Sequence, residues 1–256
     1  MSQTDPPSPA PASAPAQQDQ SQQARQVQLR AEDVLAFFHQ LYYHVGLDRG
    51  GTWQRTFWMG VATEKLPLDM WIYQEILHVA RPDFIFETGT RHGGSALFFC
   101  QMMDLIEGAD AGGGGGDAAC EVVTVDITMP AKPPQHRRLT YLTGSSLDAA
   151  IVEDVRRRAA GKKSVLVVLD SDHARDHVLA EMRAYHALVT PGSYMIVEDS
   201  NVNGHPVWPR HGPGPMEAIQ AFMQENGDFV IDKQAEKFLF TFNPSGYLWK
   251  KKPATP

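Results

Sequence analysis

Phe84-Ile85-Phe86-Glu87-Thr88-Gly89-Thr90-Arg91-His92-Gly93-Gly94-Ser95 runs from an apolar strand into an acid, through a glycine-rich turn, and into a helix that continues to Ile106. β-rich apolar residues that stop at such a turn and resume at helical spacing describe a strand feeding a covering helix. Downstream the unit recurs. Val122 to Asp126 reads as a strand ending in an acid, Leu139 to Leu142 as a strand before Gly144-Ser145-Ser146, and Leu147 to Ala160 as a charged helix. Ser164 to Leu169 is a near-continuous apolar strand ending at Asp170, Val178 to Leu188 is helical, and Tyr194 to Val197 ends at Glu198-Asp199. Strands this apolar, alternating with helices, predict a parallel sheet covered on both faces.

The C-terminal part breaks the rhythm. After a helix from Pro215 to Glu225, the runs Phe229–Ile231 and Phe238–Phe242 follow with no room for a crossover helix, so they are expected to pair as a hairpin. The predicted fold is α/β and Rossmann-like, with a mostly parallel seven-stranded sheet, a C-terminal antiparallel hairpin and an N-terminal helical extension. That pattern resembles the class I methyltransferase fold rather than the fully parallel dinucleotide-binding fold. Upstream, Val27 to Tyr43 and Leu68 to Val79 carry helical spacing, the second ended by Arg81-Pro82. The expected domains are a disordered tail over 1–26, rich in Pro, Ser, Ala and Gln, a helical cap or lid over 27–82, and a core over 83–252.

At 256 residues the chain has material for one good α/β core. A net charge of -7 with no dense Lys/Arg stripe argues against nucleic acid as a partner. Cys100 and Cys120 show no zinc spacing and read as buried thiols. No basic start precedes an apolar core and no run approaches a membrane span, so a soluble cytoplasmic protein without a membrane partner is expected. A homo-oligomer is compatible with the sequence.

Ligands of open α/β sheets bind beyond the carboxyl ends of the strands. The turn after the first core strand is not G-x-G-x-x-G, which weakens a nicotinamide reading, whereas an acid just before its first glycine suits a positively charged sulfonium cofactor, S-adenosylmethionine. Glu87, Gly89, Thr90, Arg91, Gly93 and Ser95 are the candidates there, because glycines let backbone approach a ligand. Asp126 is placed to accept ribose hydroxyls, Ser145 and Ser146 to meet the adenine, and Asp170 to border the same cofactor. A strand-end cap is the plainer alternative for Asp126, and an ordinary turn for the serines.

The second constellation is Leu169-Asp170-Ser171-Asp172-His173 after one buried strand and Glu198-Asp199-Ser200-Asn201 after the next. Tips of adjacent parallel strands lie about 5 Å apart, so their carboxylates crowd together unless protonated or bridged by a cation. All-oxygen ligands favour Mg²⁺, with Mn²⁺ or Ca²⁺ as alternatives. Asp170, Glu198 and Asp199 are the expected metal ligands, with Asp172 supporting or replacing one of them. An ion at a substrate hydroxyl would lower its pKa, and His173 is the candidate general base, with Asp170 the other catalytic candidate. The long stretch from Asn201 to Pro215 reads as an acceptor-pocket wall.

Through Pro67-Leu68-Asp69, Glu87-Thr88-Gly89-Thr90, Gly93-Gly94-Ser95, Asp170-Ser171-Asp172-His173, Val197-Glu198-Asp199, Asn203-Gly204-His205-Pro206 and Gly212-Pro213-Gly214-Pro215, the chain resembles the cephalosporin hydroxylase and rhamnosyl O-methyltransferase family. More distantly it is similar to macrolide-sugar O-methyltransferases of antibiotic biosynthesis. The resemblance spans Trp58 to the C-terminus. It implies a class I fold, S-adenosylmethionine at Glu87, Gly89 and Asp126, Mg²⁺ at Asp170, Glu198 and Asp199, and His173 at the position of a catalytic base. The expected activity is methyl transfer to a hydroxyl of a small molecule, a sugar or secondary metabolite. Two rivals stand beside it: a cofactor-binding component of a two-component hydroxylase or methoxylation system, and a nicotinamide-dependent oxidoreductase. No two-His-plus-carboxylate pattern supports iron oxygenase chemistry.

Overall fold

The computed structural model describes residues 30–45, 51–110 and 120–253. The N-terminal tail and the run Gly112 to Gly116, whose glycines read in the sequence as a surface insertion between the first core helix and the second core strand, therefore lie outside the described residues. Helix α1 (Ala31–His44) carries Glu32 and Asp33 in its first turn and His44 in its last, each complementing the helix dipole. Strands β1 (Phe57–Trp58) and β2 (Val61–Ala62) form a small hairpin. Its two turn residues, Met59 and Gly60, both have positive φ, as the tight turn between twisted strands demands. Helix α2 (Pro67–Ala80) starts on a proline, whose missing N–H costs nothing at a first turn, and closes on a left-handed Arg81.

The core follows as β3 (Phe84–Thr88), α3 (Gly94–Asp110), β4 (Glu121–Asp126), β5 (Leu139–Thr143), α4 (Ala149–Ala159), β6 (Val165–Leu169), α5 (Arg175–Tyr185), β7 (Tyr194–Val197), α6 (Pro215–Glu225), β8 (Phe229–Ile231) and β9 (Tyr247–Lys250). The seven-stranded sheet has the order β5-β4-β3-β6-β7-β9-β8. All core ladders are parallel except those of β9, which runs antiparallel to β7 and β8. Strands β3 and β6 are buried along their whole length, which is why neither shows polar alternation. Alternate residues feed two cores: Phe86 and Val167 pack with Tyr185 and Phe222, while Ile85 and Leu166 pack with Tyr73 and Phe99. Strand order reverses at the β3/β6 pair, so its carboxyl end is the crevice where a ligand fits.

The expected partner of Phe229–Ile231 is corrected by the structure. Phe238–Phe242 is not a strand, and β8 pairs instead with Tyr247–Lys250, inserted between β7 and β8. The cause is Asp69 on α2, only 2 % exposed. Its carboxylate accepts hydrogen bonds from Thr241 Oγ1 (2.5 Å), Phe242 N (2.9 Å) and Tyr247 Oη (2.9 Å). The Phe242 N–H goes to Asp69 and its carbonyl to Asn201 N, so both of its backbone groups are engaged outside any strand pair, and Phe240 and Phe242 turn their rings onto Tyr42 and His39 of α1. Burial raises the Asp69 carboxyl to about 6 against these three donors. Asp69→Ala strands all of them, and unmade buried hydrogen bonds cost roughly 1–3 kcal/mol each. We expect urea unfolding at pH 7.5 to show a loss of about 3–5 kcal/mol, and a loss below about 1 kcal/mol would mean that Asp69 does not anchor this segment.

Candidate functional site

At the tip of β3, Glu87 is fully buried and accepts hydrogen bonds from Ser95 Oγ (2.5 Å) and Thr124 Oγ1 (2.7 Å). Thr124 Oγ1 lies 2.8 Å from Thr90 Oγ1, so the turn, its helix and β4 are tied through one carboxylate. Burial pushes the Glu87 carboxyl up to about 7, with Lys65 and the two hydroxyls opposing. Gly89 has φ +87, and a Cβ there would meet the Asp170 carbonyl oxygen at 1.8 Å. Only glycine serves at that point, because the backbone of the turn lies against the tip of β6.

Asp126, at the tip of β4, accepts from the backbone N–H groups of Arg91 (2.9 Å) and Thr128 (3.0 Å). It thus caps both its own strand end and the glycine-rich turn, alongside any part it takes in binding. Arg91 and Gly93 adopt positive φ, and the exposed Arg91 and His92 reach Glu64 at 3.2 and 3.3 Å. Ser145 Oγ accepts from Leu147 N, an ordinary turn contact. The buried Ser146 points its hydroxyl at His177 Nε2 (3.3 Å), which is also 3.2 Å from Ser171 Oγ. Ser171 in turn donates to the fully buried Glu181 (2.7 Å), a network not anticipated from sequence.

The register of β3, β6 and β7 pairs Thr88 with Leu169 and Leu169 with Val197, which brings the next residues of each strand together. Asp170 N donates to Thr88 O (3.1 Å) and Glu198 N to Leu169 O (3.0 Å), extending the ladders into the crevice. His173 Nε2 is 3.1 Å from Asp199 Oδ2. Among the described residues, Asp170, His173 and Asp199 offer ligand atoms that all lie within 4.8 Å of one another. Asp199 holds a left-handed φ of 53, uncommon for a side-chain-bearing residue, and its N–H is fixed by Asn243 Oδ1 at 3.0 Å. Asp172 is exposed and accepts from Ala174 N (2.7 Å) in the turn entering α5, apart from the converging group.

Lys65 is the residue that sequence reasoning missed. Only 5 % exposed, its ammonium bridges Asp170 and Glu198, the latter at 2.5 Å. Burial alone would depress its pKa, but the charges of Asp170, Glu198 and Glu87 more than reverse that and hold it protonated. Glu198, 4 % exposed, is driven well above the carboxylate range by burial and by Asp170. Its Oε1 is buried without a hydrogen-bond partner. A lone lysine in a loop carries no sequence signal for such a position.

The loop after β7 is organised from one side chain. Glu217, in the first turn of α6, accepts from Asn203 Nδ2 (2.9 Å) and Gly214 N (2.7 Å) and sits 2.9 Å from His205 Nε2. The loop is also tied to α1, through Asn201 Nδ2 and His39 Nε2 (2.9 Å) and through Gln40, which donates to the Pro206 carbonyl. A cavity of about 320 Å³ opens between them, lined by His39, His205, Pro206, Leu239 and Thr241 among others. A larger, open cavity of about 590 Å³ is walled by Pro67, Leu68, Trp71 and Phe238, and neither cavity is lined by the converging Asp170, His173 and Asp199.

Fold and site together define a class I methyltransferase architecture, with a glycine-rich turn and an acid crevice at the switch point. The description Rhamnosyl O-methyltransferase/CmcI matches residues 51–251. The chain is 40% identical over 233 residues to the rhamnosyl O-methyltransferase of Mycobacterium tuberculosis (strain ATCC 25618 / H37Rv), covering 88% of this chain and 89% of the relative. Its counterpart from Mycobacterium leprae (strain TN) is 41% identical over 221 residues, covering 84% and 89%. Among solved structures, an apo form of CmcI aligns with a TM-score of 0.58 at 21% identity over 82% of each chain. A CmcI structure described as Mg-SAM aligns with a TM-score of 0.58 at 19% identity, over 83% of this chain and 84% of that one, and both share the fold. The chain belongs to the rhamnosyl O-methyltransferase/CmcI family and is an S-adenosylmethionine-dependent O-methyltransferase.

Burial raises the Glu217 carboxyl, but His205, Gly214 and Asn203 outweigh it and hold the group at about 2, below the ordinary 4.5. A depressed acid stabilises the folded state above pH 4.5 and loses that contribution as pH falls towards 2. Glu217→Gln should therefore be less stable than the parent at pH 7 and should lose less stability between pH 5 and pH 2, as read by urea unfolding at each pH. Parallel curves for the two proteins would contradict the assignment.

Proposed function

We propose that this enzyme methylates a hydroxyl of a small sugar or secondary-metabolite acceptor, with His173 as general base and a divalent ion, Mg²⁺ or Mn²⁺, held by the crevice acids. The observation that carries the reading is the convergence of Asp170, His173 and Asp199 within 4.8 Å at the tips of β6 and β7. Whether the crevice suits a cation is answered by its donor set. It offers carboxylate oxygens, and one of them, Glu198 Oε1, is buried without any partner. Such an atom is costly unless a cation meets it, so the residues fit a hard ion. Asp170, Glu198 and Asp199 would hold it, and Asp172, which accepts from Ala174 N in the turn entering α5, stands outside that set.

In the bound state S-adenosylmethionine supplies an electrophilic methyl group and the ion supplies polarisation of the acceptor oxygen. The work of the chain's own residues follows from their contacts. With Nε2 facing Asp199 Oδ2 at 3.1 Å, the other ring nitrogen of His173, Nδ1, accepts the proton that the acceptor hydroxyl loses as its oxygen takes the methyl group, and Asp199 steadies the resulting imidazolium. Glu87, with Ser95 and Thr90, braces the glycine-rich turn for the donor, where Gly89, Arg91 and Gly93 present backbone. Asp126 is positioned for ribose hydroxyls, and Ser145 and Ser146 border the adenine side. The loop from Asn201 to Pro215, tied to α1 through His39 and Gln40, is the proposed wall on the acceptor side. The names of the mycobacterial relatives support a rhamnosyl-type acceptor. No helix among the described residues is long and apolar enough to cross a membrane.

His173→Gln should lower kcat for methyl transfer to a rhamnoside by roughly 10²–10⁴-fold while leaving calorimetric affinity for S-adenosylhomocysteine unchanged. Asp170→Ala should abolish metal-dependent turnover and largely spare cofactor binding. Turnover by His173→Gln at the parental rate would remove the histidine from the mechanism, and equal loss of turnover and cofactor binding in Asp170→Ala would dissolve the division between donor and metal sites.

A further inference from the structure

Lys65 belongs to the segment that crosses the cofactor turn. The Ala62 carbonyl lies where a Cβ on Gly94 would meet it at 2.3 Å, and Glu64 binds Arg91 and His92. The Lys65 backbone is fixed by its own N–H, which donates to Thr56 Oγ1 at 3.1 Å. From there the side chain passes into the crevice and gives its ammonium to Asp170 Oδ2 and Glu198 Oε2. Both acids are also proposed ligands of the divalent ion, and Glu198 keeps a second oxygen with no partner.

An ammonium and a divalent ion that share two acids repel each other strongly in a buried site. We propose that Lys65 is a positioning residue and a built-in rival of the metal: it holds Asp170 and Glu198 together and limits how tightly the crevice binds a divalent ion. This rests on the metal reading above, but it concerns affinity rather than chemistry. A crivice lined by acids alone would grip the ion. One already carrying a fixed positive charge binds it in exchangeable fashion.

The test is Mn²⁺ binding to the purified, metal-stripped full chain, followed by electron paramagnetic resonance without cofactor or acceptor. Lys65→Met, nearly isosteric and neutral, should bind Mn²⁺ at least about tenfold more tightly than the parent, and Lys65→Arg, which keeps the charge, should stay within about threefold of it. A structural role alone would predict weaker binding in Lys65→Met. Unchanged or weaker binding in that variant overturns the proposal while leaving the metal reading intact. Failure of both parent and variant to bind overturns both, whereas binding by Lys65→Met alone supports the rivalry in its extreme form. If Lys65→Met does not fold, the parent labelled with [ε-¹³C]lysine decides the matter. The Lys65 signal, identified by its absence in Lys65→Arg, should shift on saturation with Mg²⁺, and a signal that stays in place overturns the proposal.

Discussion

Two carboxylates on neighbouring strand tips, joined by one buried ammonium, are the constraint around which this molecule is arranged. Asp170 and Glu198 lie together because β6 and β7 are parallel and in register, not because they attract. Like charges so placed would spread the strands or take up protons. Lys65 reaches them from outside the sheet and makes the arrangement tolerable, so a residue from the N-terminal segment completes a site whose acids belong to the core.

The same segment ties the two halves of the crevice. Glu64 contacts the glycine-rich turn and the next residue contacts the acids, so the turn and the acids share one piece of backbone. Gly89 adds a second link, since its lack of a side chain lets the turn rest on the backbone of Asp170. The glycine-rich turn and the acids are thereby held at a fixed separation by packing, which suits a reaction whose rate depends mainly on alignment.

Much of this was legible from residue order. Strands β3 and β6 could be read because full burial writes an unbroken apolar run, and the acids at the tips of β4, β6 and β7 stand out because polar residues interrupt such runs abruptly. Local pattern does not distinguish the partner of β8, because Phe238–Phe242 and Tyr247–Trp249 are both rich in apolar side chains. What separates them is the carboxylate of Asp69, some 170 positions away and invisible to local pattern. Lys65, Glu217 and the His177–Glu181 pair were hidden for the same reason, since their meaning comes from contacts made across the fold. His173 stands with Asp170 and Asp199, and the lysine engages both Asp170 and Glu198.

The insertion of β9 between β7 and β8 bears on how the site comes into being. The segment leading into β9 supplies the Asn243 amide oxygen to Asp199 N and the Phe242 carbonyl to Asn201 N, and Gly246 O receives Val197 N. In chain order β7 and its acids precede these partners. A nascent chain can therefore assemble the glycine-rich half of its crevice early, while the acid half gains its final backbone shape only as the last strand threads into the gap.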